Sequence, residues 1–267
     1  MYSRPQHRRI QGILQSLNAE LLRGHQCLFG GGTAIALSHG EYRESVDIDL
    51  LVGSVEGYRE LRGIVNAEGV HGLLSHPLQL ARPPRMDQYG IRCAIQPDDS
   101  GRPIKLEIVF EGRIQFAATR DEDRIDGVWT LALEDRVATK LMANSDRWAD
   151  DSVWSRDIID LAVLTDGGAA DPAGVAKAVH AYGPSALRDF ERARAHLLDR
   201  DGWLARCMRS MAVSLPETHL RSLLAQPFEI ARDSPLLRSA AGRDIAAPAS
   251  HPLTVSLRRE GLTSSRP

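Results

Sequence analysis

The stretch Phe29-Gly30-Gly31-Gly32-Thr33-Ala34-Ile35-Ala36-Leu37-Ser38-His39-Gly40-Glu41-Tyr42-Arg43-Glu44-Ser45-Val46-Asp47-Ile48-Asp49-Leu50-Leu51-Val52 decides the fold. It reads as a glycine turn, a short helix over 33–39 that Gly40 ends, and a strand carrying two carboxylates. Glycines let the backbone approach a phosphate closely, and the N–H groups at the following helix start can bind its charge. In Val46-Asp47-Ile48-Asp49-Leu50 the period is two, so Asp47 and Asp49 leave one face while Val46, Ile48 and Leu50 enter a core. Arg43 and Ser45 share the parity of the aspartates and border the same site if the strand begins that early. Arg43 is equally readable as a rim arginine that touches no substrate. Two carboxylates side by side repel each other unless a cation lies between them. Oxygen ligands of that kind suit Mg²⁺, which keeps several waters and the phosphates of its substrate.

On the N-terminal side, Ile10, Ile13, Leu14, Leu17, Leu21 and Leu22 have helical spacing and predict one amphipathic helix over 7–23, followed by a buried strand at Cys27-Leu28-Phe29. On the C-terminal side, residues 55–67 predict a second helix with Tyr58, Leu61, Ile64 and Val65 on one side. A strand with loops around it falls within His71–Pro84, where Pro83-Pro84 marks an edge. Tyr89–Gln96 and Pro103–Phe110 read as strands paired across the turn Pro97-Asp98-Asp99-Ser100-Gly101. On the second of these, Lys105 and Glu107 share a face, opposite Ile104, Leu106 and Ile108. That pair is either the solvent face of an antiparallel strand or a third carboxylate, with a lysine, beside Asp47 and Asp49. The paired aspartates upstream favour the second reading, because two-metal transfer at phosphorus uses such a constellation.

Residues 111–130 read as a connector whose acids, Asp121-Glu122-Asp123, form a solvated loop. Leu131–Trp148 predicts a long amphipathic helix, with Leu133, Val137, Leu141 and Met142 inside and Glu134, Asp135 and Arg136 outside. Lys140 and Arg147 lie on one side of it. Ser155–Leu164 is a further helix, on which Arg156 and Asp160 have the spacing of an i,i+4 ion pair. After Gly167-Gly168, three more helices are predicted over 173–182, 184–199 and 201–213. Arg188, Arg192, Arg194, Arg200, Arg206 and Arg209 gather there among acids, which favours a salt-bridged exterior over an RNA-facing surface. From 235 onward the periodicity is lost and a loosely held tail is expected.

The 267 residues can bury a substantial core, and 43% hydrophobic with 25% charged residues is the composition of a soluble globular protein. A formal net charge of −2 offers no global attraction for nucleic acid, though a local basic groove is compatible with it. Cys27, Cys93 and Cys207 have neither disulfide nor zinc spacing and read as buried free thiols. The polar N-terminus has no apolar run, no stretch is long enough to span a bilayer, and the cytoplasm is the expected location. Of the 33 basic residues three are lysine, namely Lys105, Lys140 and Lys177. Lysine is a compact charge on a flexible stem, so its retention in an arginine-rich chain draws attention to those positions.

The glycine turn, short helix and Asp-x-Asp strand resemble the nucleotidyltransferase superfamily. The fuller string Gly-Gly-Thr-Ala-Ile-Ala-Leu-Ser-His-Gly with Tyr-Arg-Glu-Ser-Val-Asp-Ile-Asp resembles more narrowly the AbiEii/AbiGii toxin family of type IV toxin–antitoxin systems. Leu-Glu-Asp-Arg-Val-Ala-Thr-Lys-Leu and Arg-Asp-Ile-Ile-Asp-Leu resemble that family's later motifs. The resemblance implies an α+β fold: a small mixed sheet flanked by helices, followed by a helical C-terminal region. The corresponding divisions are a catalytic domain over 1–130, a helical region completing the site over 131–234 and the tail over 235–267. It implies transfer of a nucleoside monophosphate from an NTP, with Mg²⁺, to an acceptor such as tRNA, and a cognate antitoxin as partner. Carried onto this sequence, it assigns Asp47, Asp49 and Glu107 to the metal. Gly31, Gly32, Thr33, Arg43, Ser45, Lys105 and Lys140 go to the nucleotide. Lys140 contacts the triphosphate and Asp157 positions or activates the acceptor, with Arg147 and Asp160 as lesser candidates. A nucleotidyltransferase acting on a small molecule, as antibiotic-modifying enzymes do, and a non-catalytic binding protein on the same fold are the alternatives.

Overall fold

The computed structural model describes residues 1–96, 101–168 and 170–226. The N-terminal apolar stripe forms two helices, α1 (Pro5–Ser16) and α2 (Ala19–Gly24), instead of the single helix expected over 7–23. Leu17 is extended and bridges to Leu74, and the Asn18 N–H donates to the Leu73 carbonyl at 2.9 Å. The Asn18 side chain then caps α2, accepting from the Leu21 N–H at 3.1 Å. A cap of this kind contributes about 1 kcal/mol. Together with the tertiary contacts it outweighs the weak local preference for one continuous helix.

β1 (Cys27–Gly30) runs directly into α3 (Gly31–Ser38), and the chain returns antiparallel as β2 (Ile48–Val52). Because β2 begins only at Ile48, Val46 lies outside the alternation expected of it and is 48% exposed instead of in the core. α4 (Val55–Glu68) follows, its first turn capped by the Ser54 hydroxyl, which accepts from the Gly57 N–H. β3 (Gln79–Met86), β4 (Gly90–Gln96) and β5 (Ile104–Phe110) complete a sheet of order β1-β2-β5-β4-β3. β2 and β5 are parallel and the remaining pairs antiparallel, so the sheet is mixed. β3 is the edge strand, as Pro83 and Pro84 require, and its register is irregular around Arg82. The turn expected at 97–101 lies, but for Gly101, outside the described residues.

Alternation along the central strands sends Ile48, Leu50, Ile91, Ile95, Ile104, Leu106 and Ile108 to one face, all fully buried. They pack with Ile10, Ile13 and Leu14 of α1 and Tyr58, Leu61 and Val65 of α4. The opposite face carries the polar members of the same strands, and the rest of the chain closes over part of it. The connector holds a short hairpin, β6 (Arg124–Ile125) with β7 (Val128–Trp129). Asp123, expected in a solvated loop, is buried and accepts from the Arg120 N–H and Nε at 3.0 and 3.1 Å.

α5 (Leu133–Arg147) is turned relative to the expected stripe. Leu133 is 46% exposed, while Asp135 is fully buried, accepting from the Ala117 N–H at 2.8 Å and from Lys177 Nζ at 2.6 Å. A helix covered on more than one side buries positions that a one-face pattern assigns to solvent. Around α5 pack α6 (Arg156–Leu164), α7 (Pro172–Tyr182), α8 (Ser185–Leu198), α9 (Trp203–Ser210) and α10 (Glu217–Ala225). α10 has no counterpart among the expected elements. A second core joins Val137 and Leu141 to Ile159, Val175, Leu197, Leu204 and Leu220. All three cysteines are buried and free, and the tail expected from 235 lies outside the described residues. Among the described residues no helix is long and apolar enough to cross a membrane.

The contact of α5 with α7 depends on Gly174. A Cβ there would lie 2.5 Å from the Glu134 carbonyl oxygen and 2.8 Å from Val137 Cβ. Replacing a helical glycine by alanine ordinarily gains up to about 1 kcal/mol. At this position overpacking should reverse the sign and cost about 1–3 kcal/mol. Thermal unfolding of Gly174→Ala should show a lowered Tm, and a raised one would contradict the packing.

Candidate active site

The site grows out of one strand register. In the parallel pairing of β2 with β5, Asp49 stands beside Glu107, and across β1 it stands beside Gly30. Asp47 sits just ahead of β2. These carboxylates open onto a cleft of about 390 Å³. Gly31 and Gly32 form one wall, Lys105 and Glu107 of β5 another, and Lys140 and Arg147 of α5 a third, with Arg156 at the start of α6.

The glycines are required by two separate contacts. Gly31 has φ +68°, a left-handed conformation, and a Cβ there would lie 2.2 Å from Asp49 Oδ2. A Cβ on Gly32 would lie 2.1 Å from Arg43 Nη2. The turn therefore brings the start of α3, whose first N–H groups have no partner within the helix, against a carboxylate on one side and a guanidinium on the other. Thr33 is buried, and its hydroxyl donates to the Asp47 carbonyl and shares a 2.7 Å hydrogen bond with the Ser45 hydroxyl. That hydroxyl fixes the approach to β2 instead of facing the cleft, as a triphosphate ligand would.

Asp47 and Asp49 have no hydrogen-bond or ion-pair partner for their carboxylates among the described residues. Burial raises the pKa of both, and the charge of Glu107 adds to it at Asp47, that of Asp47 at Asp49. Lys105 and Arg156 draw Asp47 back in part, and Lys140 does so for Asp49. Glu107 differs: it accepts from Arg92 Nε at 3.0 Å and from Lys105 Nζ at 2.6 Å. Among the described residues no three His, Cys, Asp or Glu side chains gather into a metal cluster. Two unneutralised carboxylates side by side fit a hard divalent cation. Glu107 fits the same ion once it exchanges a cationic partner for it.

Behind the glycine turn lies a buried ion network. Asp160, 0% exposed, accepts from Arg43 Nε at 2.6 Å, Arg43 Nη2 at 2.9 Å and the Tyr42 hydroxyl, and pairs with Lys140 Nζ at 2.6 Å. Asp157 accepts from Lys140 Nζ at 2.9 Å, Arg147 Nε at 2.6 Å and Arg147 Nη2 at 2.9 Å. Burial alone would push both carboxyls up. The charges of Lys140 and Arg147 at Asp157, and of Arg43 and Lys140 at Asp160, more than offset it, so both sit below the usual carboxylate range. Three cations thus share two carboxylates. Arg43 is neither a free ligand nor a rim residue but a buried fork. The i,i+4 pair expected between Arg156 and Asp160 is not formed, because Asp160 points inward and Arg156 lines the cleft. Both oxygens of Asp157 are engaged by cations, which ties this residue to Lys140 and Arg147.

Four residues of the site, Tyr42, His7, Arg92 and Arg156, carry no site role from sequence. Tyr42 adjoins Arg43 and shares its carboxylate. His7 is fully buried in α1: its Nε2 accepts from the Ser45 N–H at 3.2 Å and its Nδ1 donates to Glu41 at 2.9 Å. Burial lowers its pKa, so the neutral ring holds the loop before Asp47. Arg92 lies opposite Glu107 in the β4–β5 register. Its parity, opposite to buried Ile91 and Cys93, is a signal that sequence does contain. Nothing local marks His7 or Arg156.

Comparison with known proteins gives the family. The family model described as nucleotidyl transferase AbiEii toxin, type IV TA system, matches residues 12–231. Two solved structures are similar, a proposed nucleotidyltransferase from H. pylori and JHP933 from Helicobacter pylori. Each is 16% identical with a TM-score of 0.48; they cover 83% and 85% of this chain, respectively, and 91% of their own. No curated protein matches the chain. The family match defines a nucleotidyltransferase-type protein. More narrowly, the chain belongs to the AbiEii nucleotidyltransferase toxin family of type IV toxin–antitoxin systems.

Asp160→Asn would leave Arg43 and Lys140 short of a buried counter-charge, a defect that costs about 3–5 kcal/mol. The denaturant midpoint should fall with an unchanged m-value. Because the folded pKa values of Asp157 and Asp160 are depressed, their contribution is complete above the unfolded value, about pH 4, and is lost as pH falls below it. The variant should therefore lose less stability than the native chain over that acid range. A wild-type midpoint would show that the network does not hold the fold.

Proposed function

We propose that the cleft transfers a nucleoside monophosphate from a nucleoside triphosphate to a hydroxyl of a macromolecular acceptor such as tRNA, in the cytoplasm, releasing pyrophosphate. The observation that supports this most is the unneutralised pair Asp47 and Asp49 facing the glycine start of α3, with Lys140 close behind. In this reading the N–H groups at Gly31 and Gly32 bind phosphate oxygens, as helix starts do. Asp47 and Asp49 would hold Mg²⁺, and Glu107 would join them or take the proton of the attacking hydroxyl. Bound there, Mg²⁺ supplies positive charge to the triphosphate oxygens. Lys140, steadied by Asp157 and Asp160, is directed at the charge that develops on the leaving pyrophosphate, with Arg147 beside it. Lys105, Arg43 and Ser45 complete the nucleotide wall, Arg43 acting through Asp160 and the turn. Catalysis is then mainly positioning and electrostatics. Type IV membership also implies a counterpart antitoxin and a nucleotide substrate in general.

Purified protein with total tRNA, Mg²⁺ and each α-labelled NTP should place label on RNA. Asp47→Asn should reduce this by about 10²–10³-fold, the scale for losing an electrostatic group at a transition state, while the fold survives. An active, well-folded Asp47→Asn would contradict the assignment.

A second prediction concerns stability. An acid whose folded pKa is raised destabilises the fold above that pKa, and the penalty is lifted as pH falls. Asp49→Asn should therefore raise Tm at neutral pH in the absence of divalent ions. Mg²⁺ should raise the Tm of the native chain by mass action and have little effect on the variant. An equal Mg²⁺ response in both would place the ion elsewhere.

A further inference from the structure

The arginines near the cleft fall into two sets. Arg43, Arg92, Arg113, Arg147 and Arg200 each sit in an ion pair. Arg156, Arg206 and Arg209 have no carboxylate partner among the described residues. α9 carries two of them and touches the segment that carries the third. At its start, Trp203 Nε1 donates to the Ser155 hydroxyl at 3.1 Å, which sets α9 against the residue preceding Arg156. At its end, the Met211 carbonyl accepts from the Glu44 N–H at 2.9 Å, and the Ser214 N–H donates to the Tyr42 carbonyl at 2.7 Å. α9 therefore reaches from the residue preceding Arg156 to the loop that holds Arg43 and Ser45, and those three residues line the cleft.

α9 carries charge of one sign, and Asp151, whose charge reaches Cys207 of that helix, is engaged by Arg200 and His196. Trp203, Leu204, Cys207 and Met208 are buried, while Arg206 and Arg209, one turn apart, are exposed. α9 contains no acidic residue. On α8, by contrast, Arg192 and Arg194 pair within the helix with Asp189 and Glu191. Arg156 lies within electrostatic reach of Asp47. Guanidinium forks matched to no carboxylate suit phosphate. Trp154, partly exposed, stacks on Trp203 at 5.8 Å beside them, and aromatic side chains so placed accept unpaired bases.

We propose that Arg209, Arg206 and Arg156 form the track along which the single-stranded end of an RNA acceptor enters the cleft, its phosphates on the arginines and a base against Trp154. This rests on the nucleotidyl-transfer reading above and names the acceptor's chemistry and its line of approach. With a net charge of −2 the chain as a whole does not attract RNA, so the attraction is local to these arginines. An acidic protein surface would also match the arginines. The tryptophan stack and the reach of Arg156 to Asp47 favour RNA.

The test is fluorescence anisotropy with a labelled single-stranded RNA oligonucleotide over a range of KCl concentrations. Arg206→Ala/Arg209→Ala should weaken binding about tenfold. It should also flatten the slope of log K against log salt by about 1.4, two phosphates at about 0.7 each. Arg206→Lys/Arg209→Lys should recover most of both, and NTP binding should be unchanged throughout. Unchanged affinity and slope in the alanine variant would overturn the track, as would failure of the native chain to bind the oligonucleotide. So would a loss confined to binding of poly-glutamate with RNA unaffected. Label transfer separates the two readings. RNA binding that follows the track without any transfer sinks the transfer reading and leaves the track. Transfer to RNA with the same KM in the native and alanine forms sinks the track and leaves the transfer.

Discussion

The sharing of three cations, buried Arg43 and Lys140 and half-buried Arg147, between two buried carboxylates, Asp157 and Asp160, is the constraint on which the site depends. Burying a charge is costly unless it is paired and hydrogen-bonded, and here each carboxylate is bonded from several sides. The network ties together parts of the chain that are far apart in sequence. Arg43 comes from the loop ahead of β2, Lys140 and Arg147 from α5, and both aspartates from α6. It also sets the glycine turn, because Arg43 lies where a side chain at Gly32 would have to go. The turn, the loop and the helical region are thereby fixed by one electrostatic unit.

A few ångströms in front of that network the balance is the reverse. Burial, with the charge of Glu107 at Asp47 and of Asp47 at Asp49, raises both carboxyl pKa values. One side of the glycine turn is thus rich in paired cations and the other in unpaired anions. Such a division is suited to a polyanion carried with a divalent cation. In the proposed reading the phosphates would meet helix N–H groups and the lysine side, and the metal would meet the aspartates. Folding stability is given up at the aspartate pair, as is common where a site must be ready for charge it does not yet hold. The ion network behind it keeps the geometry.

Much of this was legible in the sequence. The Asp47/Asp49 parity, the Lys105/Glu107 parity and the glycine turn are local patterns of period two or of short range, and strands and turns express such patterns directly. The errors arose where tertiary contacts override local pattern. The 7–23 stripe breaks at Asn18 because the 73–74 segment pairs there. α5 buries Asp135 because Lys177, 42 residues away, comes to meet it. Arg156 and Asp160 have ion-pair spacing, but Arg43 and Lys140 together provide Asp160 with a better-desolvated set of partners. His7 could not be assigned from its neighbours, since its role depends on a loop some forty positions on.

The most direct measurement of the central claim is a crystal structure with a non-hydrolysable NTP and Mn²⁺, the ion located by its anomalous signal. The account predicts Mn²⁺ between Asp47 and Asp49, the triphosphate at the start of α3, and Lys140 still bonded to Asp157 or Asp160. A metal peak away from those two aspartates, or a triphosphate bound outside the cleft, would contradict it.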